Sequence, residues 1–105
     1  MQPFTETVVK ILKEIPPGYV TTYGQIAKMA GSPRAARQVV RILHTLSEKH
    51  NLPWHRIVNS RGEIAIKSLE DATVQRRLLE KENVEFLPDG RVNLSKFQRE
   101  KEENK

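Results

Sequence analysis

The sequence predicts one α/β domain that is mainly helical. Two observations carry this prediction. Up to Asn51, apolar residues recur at the three- and four-residue spacing of amphipathic helices, and capping residues stand where the periodic segments begin or end. Beyond Asn51, short apolar segments alternate with turn residues, with one further helical segment among them. The length of 105 residues suits a single domain with a buried core.

The first helix is predicted to span the opening segment and to end at Pro16-Pro17-Gly18. Its buried face is marked by Phe4, Val8, Ile11, Leu12 and Ile15. A second, shorter helix is expected over about residues 23–30, because Thr22 and Gln25 have the spacing of a capping box. These two helices begin the domain.

A third helix is expected directly after a left-handed turn at Gly31, with Ser32 as its N-cap and Pro33 as its first residue. It should run to about Leu46 and bury one face. That face is formed by Ala36, Val39, Val40, Leu43 and Leu46. A short helix, a glycine turn and a longer helix together predict a helix-turn-helix.

Arginine residues occupy the opposite face of this third helix. Arg34, Arg37 and Arg41 recur at i, i+3 and i+7, which brings them together on a helix. The whole net charge of +5 lies in the same half of the chain, because residues 1–60 hold eight basic and three acidic side chains and residues 61–105 hold ten of each. The pattern indicates a surface for phosphate, although a solvated basic face has the same signature.

Smaller elements are predicted in the second half of the chain. In order, they are a loop leading into an extended piece over 53–59, a turn over 60–62, a short strand over 63–66, a helix over 69–82 and a hairpin with arms 84–87 and 91–94. The helix is marked by the capping pair Ser68 and Asp71 and by Asn83 at its end. Residues 95–105 are charged, so a mobile tail is predicted beyond a domain of residues 1–94.

Composition excludes several classes of function. The chain has no cysteine, which rules out disulfides, thiolate metal sites and a sulfur nucleophile. His44, His50 and His55 lack the usual ligand spacing, so neither a metal nor another cofactor is expected. The sequence shows no apolar run near the roughly 20 residues of a membrane span and no secretory signal. The expected location is therefore the cytoplasm, with nucleoid association in a bacterium.

The least ordinary segment of the chain is Pro-Trp-His-Arg-Ile-Val at residues 53–58. It holds the only tryptophan, Trp54, in a predicted loop. One interpretation is structural, with the ring filling a gap between the helices and the extended segments. The other is functional, with the ring lining a pocket for a flat ligand such as a base removed from a duplex.

Three motifs follow one another along the chain. They are Thr-Thr-Tyr-Gly-Gln-Ile-Ala at 21–27, Gly-Ser-Pro-Arg-Ala-Ala-Arg-Gln-Val at 31–39, and the segment at 53–58. In order and spacing they resemble the DNA-binding domain of O6-alkylguanine-DNA alkyltransferases. Those enzymes carry Pro-Cys-His-Arg at the third motif, and the cysteine accepts the alkyl group. Trp54 in its place is the signature of the alkyltransferase-like proteins, which bind alkylated DNA without repairing it.

This resemblance covers about residues 4–94 and implies a winged helix-turn-helix-like domain with a small C-terminal hairpin. It also implies that the helix-turn-helix enters the minor groove. Tyr23 would press on the backbone and help to rotate the target nucleotide out of the stack. Arg37 would enter the vacated space, where a planar guanidinium can stack between bases. Arg34 and Arg41 would hold phosphates.

The resemblance further implies a pocket for the damaged base, with Trp54 as its apolar wall. The residues assigned to this pocket are Tyr23, Trp54, His55, Arg56, Asn59, Ser60 and Lys67. Lys67 stands where related binders can have an arginine against the modified base. His55 and Glu82 would be the remnant of a Cys-His-Glu relay that has no thiol left to activate.

The function implied is that of a non-enzymatic damage sensor. It would bind double-stranded DNA containing O6-alkylguanine as a monomer, flip the base without alkyl transfer, and mark the lesion for nucleotide excision repair proteins. One rival is a sequence-specific helix-turn-helix regulator, which would read the major groove and usually bind two half-sites as a dimer. A second rival, a repair enzyme with another nucleophile, is disfavoured by the absent cysteine.

Overall fold

Five helices and two short strands form the fold in the computed structural model, which describes residues 1–99. In chain order the elements are α1 Pro3–Lys13, β1 Thr21–Thr22, α2 Tyr23–Met29, α3 Ala36–His50, a 3₁₀ turn Trp54–Arg56, β2 Ile57–Val58, α4 Leu69–Lys81 and α5 Leu94–Phe97. The strands run parallel, with Thr21 opposite Ile57 and Thr22 opposite Val58. The predicted fold class is confirmed.

The first three helices pack around one apolar cluster. Val8 and Leu12 of α1, Ile26 of α2 and Val39 of α3 are fully buried there. Burying a side chain of this size contributes about 2 kcal/mol. The cluster therefore fixes α2 and α3 against α1 and sets the geometry of the helix-turn-helix.

The start and end of α2 follow the predicted capping signals. Thr22 Oγ1 accepts a hydrogen bond from the backbone N–H of Gln25 at 3.1 Å. After the helix, Gly31 adopts a φ of 91°, a value that a residue with a Cβ rarely takes. Ser32 N then donates to Ala27 O at 2.9 Å, which closes the glycine turn.

α3 begins later than predicted. Ser32 and Pro33 belong to a turn in which Ala35 N donates to Ser32 O at 2.9 Å, and Ala36 is the first helical residue. The backbone of Ala35, at φ −100° and ψ 27°, departs from helical values, so the helix cannot extend back through it. Arg34 consequently lies in the turn and not on the face of α3.

The buried face of α3 also differs from the prediction. Val39 and Leu43 are buried as expected, whereas Val40 is 46% exposed and Ile42 is buried. Ile42 joins the cluster shared with α1 and α2. Val40 instead lines a cavity to which α4 also contributes residues.

A second apolar cluster lies between the strands, α4 and the C-terminal segment. Val20, Val58, Leu79, Val84 and Val92 are buried in it. α4 starts as predicted, because the Ser68 hydroxyl accepts from Asp71 N at 3.2 Å, and it ends before Asn83 in the left-handed conformation at φ 68°. The cluster holds α4 beside the 3₁₀ turn.

Two extended elements are smaller than predicted. Residues 63–66 do not form a strand. The pairing of β1 with β2 ends at Val58, and Asn59 N then donates to Glu63 O at 3.1 Å across the turn that follows. The hairpin is present as a tight reversal with a single antiparallel bridge, between Phe86 and Val92. Val92 N donates instead to Gly62 O at 2.8 Å, so this arm is shared with the preceding turn.

Packed structure continues beyond the predicted domain boundary at residue 94. Phe97 of α5 packs against the second cluster. Val20 N donates to Phe97 O at 2.9 Å, and Arg99 N donates to Val20 O at 2.7 Å. The predicted mobile tail therefore does not begin at Ser95, and its part from residue 100 onward lies outside the described residues.

Candidate nucleic-acid interface

A cavity of about 500 Å³ opens between the helix-turn-helix and α4. Its apolar walls are Tyr23, Val40, Leu43, Leu52, Trp54 and Ile66. The volume is within the range of roughly 300–1,000 Å³ that is typical of small-molecule sites. A substituted purine fits a space of this size.

Tyr23 occupies the first position of α2, where the capping of that helix by Thr22 fixes its backbone. Its ring is half-buried against the first apolar cluster. Burial raises the pKa of the Tyr23 phenol above its ordinary value of 10.0, because the charged form loses solvation. The hydroxyl therefore stays protonated at neutral pH and can donate a hydrogen bond at the cavity wall.

Trp54 is both a packing residue and a cavity wall. It begins the 3₁₀ turn after Pro53 and packs on the first apolar cluster with part of its surface exposed. Its ring meets the ring of His55 edge to face, with centroids 6.2 Å apart and planes at 84°. Both interpretations of this tryptophan are thus compatible with its position, since Trp54 packs on the cluster and also lines the cavity.

Glu82, at the end of α4, is the anchor of the 3₁₀ turn. Its Oε2 accepts from His55 Nε2 at 2.8 Å and from Arg56 Nη2 at 2.8 Å, while its Oε1 accepts from Arg56 Nε at 3.0 Å and from Gly18 N at 3.1 Å. Arg56 Nη1 also donates to Ile15 O at 3.0 Å. One carboxylate thus joins α4, the turn after α1 and the Trp54 segment.

The pKa of Glu82 shows how strongly this carboxylate is held in its charged form. Burial by itself would raise its pKa, but the hydrogen bonds from Arg56, His55 and the Gly18 N–H outweigh burial and lower the pKa from 4.5 to about 2. The carboxylate is therefore ionised at neutral pH and accepts, and the Nε2 of His55 donates. The pair predicted as a remnant relay is brought together.

The arginines of the helix-turn-helix are exposed. Arg37 and Arg41 lie one turn apart on α3, and Arg34 lies in the preceding turn, beside Arg37 in an open groove of about 530 Å³. Within residues 1–99 none of the three guanidinium groups makes an ion pair or a side-chain hydrogen bond. All three are free to contact phosphate.

Several residues assigned to the pocket from the sequence lie elsewhere. Arg56 and His55 point their polar atoms at Glu82, and they do not line the cavity. Asn59 closes the following turn, with Oδ1 accepting from the N–H of Arg61 at 3.0 Å and of Glu63 at 2.8 Å. Ser60 and Lys67 are exposed and also do not line it. Of the pocket residues predicted, Tyr23 and Trp54 are at the cavity.

The polar part of the cavity wall was not predicted from the sequence. It consists of His44, Ser47, Glu48, Asn51, Asp71 and Gln75. His44 and Ser47 are one and two turns beyond Val40 on α3, so the exposure of that valine is the signal that marks this side of the helix. No sequence signal marks Gln75, because it comes from α4, far along the chain.

The arrangement can hold a flat ring but lacks the group that transfers alkyl carbon. The chain has no cysteine, and indole is a poor nucleophile at neutral pH. In the described part of the chain, no group of three His, Cys, Asp or Glu side chains is placed to hold a metal ion. No helix there is both long and apolar enough to cross a membrane.

Fold and site together define a helix-turn-helix domain of the nucleic-acid-binding class, with a purine-sized cavity beside its arginine-bearing helix. Comparison with known proteins gives the family. Residues 3–84 match the family model described as the DNA binding domain of 6-O-methylguanine DNA methyltransferase, and the chain belongs to this family. The predicted family and winged helix-turn-helix-like fold are confirmed.

The chain is similar to relatives over most of its length. It is 47% identical over 94 residues to the DNA base-flipping protein of Escherichia coli K12, covering 90% of this chain and 72% of that protein. It is 37% identical over 102 residues to alkyltransferase-like protein 1 of Schizosaccharomyces pombe, covering 92% of this chain and 94% of that protein.

A solved structure shares the fold over nearly the whole chain. It is the crystal structure of S. pombe Atl1 in complex with damaged DNA containing O6-carboxymethylguanine. The match has a TM-score of 0.82 at 36% sequence identity and covers 96% of this chain and 98% of that one.

Proposed function

We propose that this protein is a non-enzymatic sensor of O6-alkylguanine in double-stranded DNA. It binds as a monomer through the helix-turn-helix in the minor groove, rotates the damaged nucleotide out of the stack, and receives the base in the cavity beside Trp54 without transferring the alkyl group. The position of Trp54, at the wall of a purine-sized cavity in a chain without cysteine, carries this proposal.

The surroundings of the cavity support the same function. Extruding a base costs a few kcal/mol, which contacts made only after extrusion must offset. Trp54 and Tyr23 bring aromatic rings to the cavity wall, and stacking of a base on an aromatic side chain is worth about 1–3 kcal/mol. The free guanidinium of Arg37 can fill the space that the base leaves, while Arg34 and Arg41 hold phosphates.

One comparison tests this function most directly. The same short duplex is prepared with guanine or with O6-methylguanine at one position, and its dissociation constant is measured by fluorescence anisotropy at fixed salt. We expect the O6-methylguanine duplex to bind more tightly by about tenfold or more. This ratio means that binding the damaged base in the cavity is more favourable than binding guanine by at least about 1.4 kcal/mol. Equal affinities would refute the sensor.

The same measurement separates the rival functions. A sequence-specific regulator would respond to the flanking sequence and not to the methyl group, and would bind as a dimer on two half-sites. Mass spectrometry of the protein after incubation with the lesion distinguishes an enzyme, since transfer would replace a hydrogen of the nucleophile with a methyl group, a net gain of one CH₂, and would leave guanine in the DNA. We expect the mass to be unchanged.

A bound sensor that leaves the lesion intact has a purpose only if another activity removes it. We propose that persistent binding marks the lesion for nucleotide excision repair proteins in the cytoplasm, or on the nucleoid in a bacterium. The absence of an alkyl acceptor supports this handover. Incision of a lesion duplex by excision repair proteins, measured with and without this protein, tests it, and an unchanged rate of incision would contradict it.

A further inference from the structure

Gln75 is a buried polar residue whose place in the fold was not expected. It lies in the middle of α4, is 2% exposed, and still contributes to the wall of the cavity. A buried polar side chain is costly unless its hydrogen-bonding groups are matched. Each polar atom of its carboxamide therefore needs a partner.

The amide nitrogen of Gln75 is fully matched. Nε2 donates to the backbone carbonyls of His55 at 3.1 Å and of Ile57 at 2.9 Å. Only the NH₂ end of a carboxamide can donate to carbonyl oxygens, so these two bonds use both of its hydrogens and fix which way the amide faces. The side chain thus clamps the segment that begins with Trp54.

The amide oxygen of Gln75 is left free by this arrangement. No donor within residues 1–99 bonds to Oε1. It is also not sealed in the interior: the buried side-chain oxygens without a partner in the described chain are Thr21 Oγ1 and Ser47 Oγ. Because Gln75 lines the cavity and its Nε2 is held by two backbone carbonyls, Oε1 is a hydrogen-bond acceptor held in place at the cavity wall.

The chemistry of the proposed ligand offers one match for this acceptor. Alkylation of guanine at O6 removes the N1 hydrogen, so the ring nitrogens N1, N3 and N7 are all acceptors. The only N–H donor left on the base is the 2-amino group. An acceptor fixed in the wall can therefore bond to the 2-amino group and to no other group of the lesion.

We propose that Gln75 Oε1 accepts a hydrogen bond from the 2-amino group of the flipped O6-alkylguanine, which makes Gln75 a specificity-determining residue of the sensor. This inference rests on the proposed function. It assigns two tasks to one carboxamide, since Nε2 positions the Trp54 segment and Oε1 reads the base. A residue that only clamped the segment would affect every lesion equally.

The test uses two lesions that differ only in the group concerned. One duplex carries O6-methylguanine and the other O6-methylhypoxanthine, which lacks the 2-amino group. Dissociation constants are measured for the wild type, for Gln75→Met and for Gln75→Lys. Methionine removes the donors and the acceptor, whereas lysine removes the acceptor and keeps N–H donors for the two carbonyls. Lysine also adds a positive charge, which acts on both duplexes alike and cancels when their dissociation constants are compared as a ratio.

We expect the wild type to prefer the lesion with the 2-amino group, and the ratio of the two dissociation constants to fall about tenfold in both variants. The cost of extruding each base is the same for all proteins, so it cancels when the ratios are compared. Leu79→Val is the matched control, because Leu79 is buried on the same helix but faces the second apolar cluster. It should leave the ratio unchanged.

A ratio that is the same in the wild type and in both Gln75 variants would overturn this inference. That result is distinct from a failure of the proposed function. The latter would show as equal affinity of the wild type for guanine and O6-methylguanine, measured in the same series.

Discussion

Arg37 and Arg34 are exposed arginines that lie close together but are expected to act differently. Arg37 is on α3 and Arg34 in the turn before it, and neither has an ion-pair partner within residues 1–99. A guanidinium that replaces an extruded base makes its contacts only when the base is out of the stack. One that holds a phosphate makes them on any duplex.

Replacing Arg37 with Ala should therefore weaken binding to an O6-methylguanine duplex more than Arg34→Ala does. Loss of a stacked guanidinium is worth about 1–3 kcal/mol, or roughly 5- to 150-fold in the dissociation constant. Arg34→Ala, the matched control, should weaken lesion and undamaged duplexes by the same factor. If Arg37→Ala also weakened both duplexes equally, its predicted role would be wrong.

Single residues differ in how far the sequence reveals them. The pairing of His55 with Glu82 was expected from the family resemblance, because the two residues match the histidine and the glutamate of the Cys-His-Glu relay. The structure joins them by a hydrogen bond. Gln75 and His44 belong to no motif, and they reach the cavity only through the packing of α4 and α3. Arg56 is two residues from Trp54 in sequence, yet its guanidinium bonds to the carboxylate of Glu82 and does not line the cavity.

The carboxylate of Glu82 joins three elements, so its charge contributes to the stability of their packing. In the unfolded chain its carboxyl has the ordinary pKa of 4.5, and in the fold the pKa is about 2. A lowered pKa in the fold stabilises the protein above pH 4.5, and this contribution is lost as the pH falls toward 2. The difference corresponds to about 3 kcal/mol.

We therefore expect Glu82→Gln to lower the free energy of unfolding by about 3 kcal/mol at pH 7, with a smaller loss at pH 3. Urea denaturation at the two pH values measures this difference. Glu80→Gln is the matched control, since Glu80 pairs with Arg76 at the surface and its side chain is 51% exposed. Such a pair is worth little. A loss for Glu82→Gln that is independent of pH would contradict the linkage.

The elements show where local signals decide the structure and where they do not. The capping residues Thr22 and Ser68 predict helix starts correctly, because each bond is made within three residues. The start of α3 was misplaced because Ser32 accepts a turn bond from Ala35 and does not cap a helix. The parallel pairing of β1 with β2 joins segments 36 residues apart, which no local pattern encodes.

At the scale of the whole molecule, charge is divided between the two halves of the sequence. The helix-turn-helix belongs to the half with the entire excess of five positive charges, and the half with α4 and the C-terminal segment is neutral. Contacts with phosphate release counterions, so affinity for undamaged DNA should fall with salt at a logarithmic slope of about −0.9 per contact.

If Arg34 and Arg41 each hold a phosphate, Arg34→Ala should reduce the size of that slope by about 1. Titrations of an undamaged duplex between about 50 and 200 mM salt measure it. Arg77→Ala, an exposed arginine of α4 in the neutral half, is the control and should leave the slope unchanged. An unchanged slope in Arg34→Ala would place this arginine away from the backbone of the DNA.

The hydrogen bonds between Val20 and the segment that includes Phe97 and Arg99 cover a strand edge that could otherwise promote aggregation. β1 has β2 on one side, and on its other side the parallel bridge from Val20 to Gln98 occupies the backbone groups at its start. An unpaired strand at that position would be a template for pairing with a second chain and for aggregation. The C-terminal segment protects the protein from this, so a shortened form intended for crystallisation or spectroscopy should retain Arg99.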